Sequence, residues 1–141
     1  MIVDRPCWSC ERAIATDTRP YKILLSIRSV NQTTGKGAKV FVSSIAAFEL
    51  WYGVAKSSRQ DFNRNDYSFF FSGPLHLLPF VNEDAEIAGP IRAELEAIGK
   101  PVGAYDVLIA GQAIRNKLTL ITANLSEFAS IEALAWAKRS E

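Results

Sequence analysis

The chain has 141 residues, 48% of them hydrophobic and 22% charged, the size and composition of one ordinary globular domain spanning residues 1–141. The 16 basic and 15 acidic residues leave a net charge of +1, which excludes a global basic field, so any nucleic-acid contact has to come from a local patch. No apolar run reaches the roughly 18 residues of a membrane span. Asp4 and Arg5 interrupt the N-terminal apolar residues where a signal peptide would continue, and the expected compartment is cytoplasmic.

In chain order, "MIV" (1–3) is a short apolar run ending at Asp4, and a weakly helical stretch follows to about Thr16. Pro20 suits the first turn of a helix over "YKILLSIRSV" (21–30), and "NQTTGKGA" (31–38) is a polar loop. "KVFVSSI" (39–45) is β-branched and compact, a strand. "AAFELWYGVAKS" (46–57) returns to helical spacing, and "RQDFNRNDYSFFFS" (59–72) predicts a second helix with an aromatic stripe.

"LHLLPFV" (75–81) reads as a strand. Asn82 is placed to cap a helix running to about Ile98, with Glu83, Asp84 and Glu86 suiting its dipole and Gly99 ending it. Pro90 is expected to kink or interrupt that helix. A further helix is predicted over 104–116, a buried strand over "LTLITAN" (118–124), and a short helix near Glu127. Strands of about five residues alternating with helices predict an α/β domain with a mainly parallel sheet, where ligands gather at the carboxyl ends of the strands.

Four acids from distant segments could converge on one edge of the sheet: Asp4, Glu49 and Glu127, which follow strands, and Asp106, which opens the helix before the last strand. An acid at a helix N-terminus is favoured by the dipole alone, so each has a purely structural reading. Glu49 and Asp106, however, lie within apolar flanks, "AAF" and "LWYG" around the first and "PVGAY" and "VLIAG" around the second. Clustered carboxylates repel and persist where something positive binds among them, and Mg²⁺ or Mn²⁺ is the economical candidate.

"VFVSSIAAFELWYGVAKS" (40–57), "IRAELEAIGKPVGAYDVLIAGQAI" (91–114) and "LTLITANLSEF" (118–128) together resemble the signatures of PIN-domain ribonuclease toxins of the VapC kind, in order and spacing, over about 100 residues. The resemblance implies a three-layer α/β/α domain with a mainly parallel central sheet and an acidic Mg²⁺ site. It also implies cleavage of RNA (tRNA is a common target), a VapB-type antitoxin and a homodimer. Carried over by motif, the acid after the "SSI" strand is Glu49, that of "G-x-x-D-x-x-I-A" is Asp106, and that of "T-x-N-x-x-E-F" is Glu127, with Asn124 where other members carry aspartate.

Ser43 and Thr122 are expected to hold carboxylates or water, and Glu94 to border the site. The first-strand acid has two candidates. Asp4 has an apolar strand before it, although Arg5 and Pro6 replace the family's small polar pair; Asp17 sits in "ATDTRP". Asp4 is preferred because it leaves room for two helices before the 39–45 strand, whereas Asp17 leaves one.

Lys56, Arg92, Arg115 and Lys117 are candidates for phosphate contact, with solvated surface charge as the competing reading. The aromatic residues Trp51, Tyr52, Phe62, Tyr67, Phe69, Phe70 and Phe71 are expected mainly in the core, any exposed part suiting a dimer or antitoxin interface. Two other functions compete. Cys7-x-x-Cys10 would suit a thiol redox site, but the rest of the chain fits the nuclease pattern, and zinc would need two more ligands with only His76 to offer one. A catalytically impaired PIN domain that only binds its antitoxin or a second copy is the other alternative.

Overall fold

A computed structural model describes residues 12–16, 39–56, 58 and 75–138. The elements expected at 1–3, 21–30 and 59–72 lie outside these residues. Among the described residues, five strands form one sheet: β1 (Arg12–Ala15), β2 (Lys39–Ser43), β3 (Leu75–Leu78), β4 (Thr119–Thr122) and β5 (Trp136–Lys138). Their order is β3-β2-β1-β4-β5, and every pairing is parallel. Four helices are described: α1 (Ser44–Lys56), α2 (Asn82–Ala97), α3 (Ala104–Arg115) and α4 (Leu125–Phe128). The mixed α/β class with a parallel sheet is the one expected.

The first segment corrects the sequence reading. Residues 12–15 form the central strand rather than a helix, flanked by β2 and β4. "RAIA" has no periodicity of its own, and alanine has little strand preference. Burial decides: Ala13, Ile14 and Ala15 are all at or below 1% exposed, sealed by strands from distant parts of the chain. Thr16 continues the alignment, its hydroxyl donating to the Ile121 carbonyl at 3.1 Å. The acid following the first described strand along the chain is therefore Asp17. Asp4 lies upstream of β1, and both acids fall outside the described residues.

Other boundaries shift for local reasons. β2 ends at Ser43 and α1 starts at once, because the Ser43 hydroxyl accepts the Ile45 N–H (3.0 Å) and turns the chain. β3 stops before Pro79, which has no N–H for the ladder. Asn82 is not the cap of α2. The residue before the helix is Val81, whose N–H donates to Asp84 Oδ2 at 2.9 Å, while the Asn82 amide donates to Glu86.

Helix α2 runs unbroken through Pro90. It ends as expected: Gly99 adopts φ 71°, with Lys100 N–H donating to Leu95 O and Gly99 N–H to Glu96 O. Helix α3 ends on the same double bond, from Leu118 N–H to Ala113 O and from Lys117 N–H to Ile114 O, but here the left-handed residue is Lys117 (φ 54°). The pattern in sequence lacked the glycine that marks such an end. Strand β5 carried no sequence signal that separated it from a loop.

The core joins Ile14, Val40, Val42, Leu50, Leu120 and Trp136 from the sheet and α1 to Val107, Ile109, Ala110 and Ala113 of α3. Helices α2 and α3 meet most closely at Gly111, where an added Cβ would lie 2.8 Å from Ala88 Cβ and 3.0 Å from the Asp84 carbonyl oxygen. That contact needs glycine for its lack of a side chain.

Candidate active site

Strands β2 and β3 lie on one side of β1 and β4 and β5 on the other, so the order in which the chain adds strands reverses at β1–β4, where open parallel sheets place ligands beyond the carboxyl ends. Helix α1 leaves β2 and carries Glu49. The loop after β4 leads to α4 with Glu127. Helix α3 brings Asp106 in its first turn. Gly103 precedes this turn, and a Cβ there would lie 3.4 Å from Asp106 Oδ2, so the backbone approaches the carboxylate closely.

The three acids act on one another. Partial burial raises the Asp106 carboxyl, and the hydrogen bond and negative charge of Glu127 and the charge of Glu49 add to it, pushing its pKa from 3.8 to about 7. Burial also raises the pKa of Glu49. Among the described residues, no arginine or lysine neutralises Asp106. Its neighbours are two further acids.

Among the described residues, no three His, Cys, Asp or Glu side chains are gathered closely enough to hold an ion between them. The electrostatic convergence of Asp106, Glu127 and Glu49 is what the structure displays.

Behind these acids lies a buried polar clamp. Ser43 and Gln112, both 0% exposed, are hydrogen-bonded, the Ser43 hydroxyl donating to Gln112 Oε1. Gln112 Nε2 donates to the Leu78 carbonyl at 3.1 Å. One amide thus ties α3 to the carboxyl ends of both β2 and β3. Ser43 was expected to hold a carboxylate or water; its partners are instead Gln112 and the Ile45 N–H. Gln112 was not singled out from sequence, because a glutamine within "LIAGQAI" has no spacing signature. Only its complete burial marks it.

Thr122, nearly buried, accepts the Asn124 N–H at 3.0 Å. Asn124 is exposed and accepts from the Ser126 hydroxyl at 2.8 Å, shaping the start of α4 and with it the placement of Glu127. Glu94 is exposed and lines a separate cleft of about 450 Å³ with Ile91, Leu95, Ile98 and Glu132. Three of the four candidate cations have a partner within the chain. Arg115 pairs with Asp84, whose side chain is fully buried. Arg92 pairs with Glu96 at 3.0 Å, and Lys56 Nζ lies 5.3 Å from the Tyr52 ring centre. Lys117 supplies the left-handed turn ending α3.

Trp51 and Tyr52 are exposed to 36% and 49%, not core. No described helix is long and apolar enough to cross a membrane.

The PIN domain family matches residues 15–134, beginning within β1 and excluding Asp4. Ribonuclease VapC2 of Rickettsia felis is 38% identical over 96 residues, covering 68% of this chain and 71% of that protein. The tRNA(fMet)-specific endonuclease VapC of Salmonella typhimurium is 40% identical over 94 residues, covering 67% and 70%. Among solved structures, VapBC2 from Rickettsia felis bound to a DNA fragment from its promoter superposes with a TM-score of 0.78 at 29% identity, covering 91% of this chain and 99% of that one. A five-stranded parallel sheet, acids converging beyond its carboxyl edge, and relatives that span most of the fold lead to one assignment: the chain belongs to the PIN-domain family, in its VapC branch.

Proposed function

We propose that the chain is an endoribonuclease toxin that hydrolyses RNA phosphodiester bonds and is neutralised by a VapB-type antitoxin. Support for the reaction comes from relatives named as ribonuclease and tRNA(fMet)-specific endonuclease, and for the partner from similar structures that are VapBC complexes. The observation that carries the site is Asp106, a carboxyl pushed to about 7 by its burial and then by the hydrogen bond and charge of Glu127 and the charge of Glu49. Hard oxygen donors that repel one another suit a divalent cation, Mg²⁺ or Mn²⁺. Asp106, Glu127 and Glu49 would hold it once drawn together around its charge, with a fourth acid, which we assign to Asp17 because it follows β1 along the chain. When bound, such an ion lowers the pKa of water and offsets charge developing on the phosphate.

The protein's own residues prepare that chemistry. Asp106 keeps its proton near neutrality while no cation is present, in a hydrogen bond with Glu127. It releases the proton when positive charge arrives. Ser43 and Gln112 fix the separation of α1 and α3, hence of Glu49 and Asp106. Thr122 and Asn124 set the loop that presents Glu127. A transfer RNA is the favoured substrate and a second copy of the chain a further partner.

The test is RNA cleavage by the chain freed of antitoxin, in Mg²⁺ and in EDTA, beside Asp106→Asn. Cutting that needs the cation and is lost in the variant is the expected result. If the wild type cuts no RNA in Mg²⁺, the nuclease assignment fails and the chain is a binding module only.

A further inference from the structure

Two aromatic residues stand directly before two of the acids, Phe48 before Glu49 and Tyr105 before Asp106. Both are exposed, Phe48 to 57% and Tyr105 to 48%, although Ala47, Leu50 and Val107 beside them are buried. The two rings meet edge to face, with centroids 5.9 Å apart and planes at 74°. This contact joins α1 to the first turn of α3, the same junction across which the Glu49 charge reaches Asp106.

The core does not account for them. A large ring half in water forgoes most of the stabilisation that burial would bring. An edge-to-face pair leaves π-surface open to a further ring. A hold that is not ionic suits an acidic site. Its acids repel a phosphate backbone, and among the described residues Arg115 pairs with Asp84, Arg92 with Glu96, and Lys56 lies over Tyr52. Stacking is how proteins hold unpaired bases, and it tolerates any base because each has a π-face.

We propose that Phe48 and Tyr105 form a stacking subsite for an unpaired nucleobase beside the scissile phosphate. It rests on the reading of Glu49 and Asp106 as the acids of the site. The subsite selects single-stranded or loop RNA by ring contact rather than by base-edge hydrogen bonds, and it adds an attraction that salt does not screen.

The experiment is fluorescence anisotropy with a short labelled single-stranded RNA in Mg²⁺, using the full chain freed of antitoxin. It is done in the Asp106→Asn background, so that binding is read without cutting. Phe48→Leu and Tyr105→Leu should each weaken Kd by about 5- to 50-fold, within the range for loss of one base–ring stack, and Tyr105→Phe should leave it unchanged. The losses should vanish with RNA carrying abasic nucleotides. Mn²⁺ affinity of the single variants with Asp106 intact should stay within about twofold, because the rings are not assigned to hold the ion.

An unchanged Kd overturns the proposal, including the case where antitoxin binding is lost instead, which would give the rings to the protein partner. Parallel loss of Mn²⁺ affinity overturns it too, making the rings props for the acids. Failure of the wild type to cut RNA would defeat the reading of the acids, while the Kd comparison would still decide the subsite.

Discussion

Replacing Asp106 with asparagine should abolish RNA cleavage and, in the absence of divalent cations, make the protein more stable. The carboxyl has a folded-state pKa of about 7 against 3.8 when unperturbed. About three units at 1.36 kcal/mol each give an upper figure of about 4 kcal/mol for the cost of ionising it in the fold. The group is only partly buried and solvent screens its neighbours, which reduces this to about 1–2 kcal/mol.

The raised pKa means that the folded state binds the extra proton. The cost is fully present above about pH 7, shrinks as pH falls through the folded value, and is gone below 3.8. Asparagine has the same shape without the charge, so its gain should be greatest near pH 8 and fade toward pH 4. Thermal unfolding by circular dichroism in EDTA reads this as an increase in Tm of about 3–8 °C at pH 8. Other carboxylates titrate in both proteins and cancel in the difference. Saturating Mg²⁺ should reverse the order, because the ion stabilises the wild type by binding its folded state. Equal Tm values in EDTA at pH 8, or a gain that does not change with pH, would refute the electrostatic reasoning.

The remaining predictions concern the frame around the site. Lys117→Gly should stabilise by about 1 kcal/mol, seen as a shifted urea midpoint at constant m-value, because Lys117 holds a left-handed conformation (φ 54°) that costs a residue with a Cβ. Gly111→Ala should destabilise by about 1–3 kcal/mol by the same measurement, since the new methyl meets Ala88 Cβ and the Asp84 carbonyl between two packed helices.

Asp84→Ala should cost about 2–4 kcal/mol, because a fully buried carboxylate is removed from Arg115 and from the Val81 N–H together. Asp17→Asn should reduce RNA cleavage by at least about 100-fold, as expected for a lost ligand of a catalytic ion, whereas Asp4→Asn should leave it within about threefold. Equal losses for the two would return the first-strand acid to Asp4.

The α/β class, strands within 39–45 and 118–124 and the helices that carry Glu49 and Asp106 were legible from local sequence. These segments have local signals: β-branched runs, apolar residues at helical spacing, and Gly99 at a helix end. The sequence also singled out the acids whose charges act on one another, because a carboxylate in an apolar flank conflicts with its surroundings wherever the chain goes. The remainder needed the folded chain. "RAIA" becomes the central strand because β2 and β4 enclose it, and this is the ground on which we propose Asp17 rather than Asp4 as the first-strand acid. Ser43 binds Gln112 across 69 positions of chain, and Arg115 turns inward to Asp84 across 31. Phe48 and Tyr105 meet at the surface between two helices. None of these pairs has a local spacing to reveal it, since each exists only because folding removes water from between segments that the chain keeps far apart.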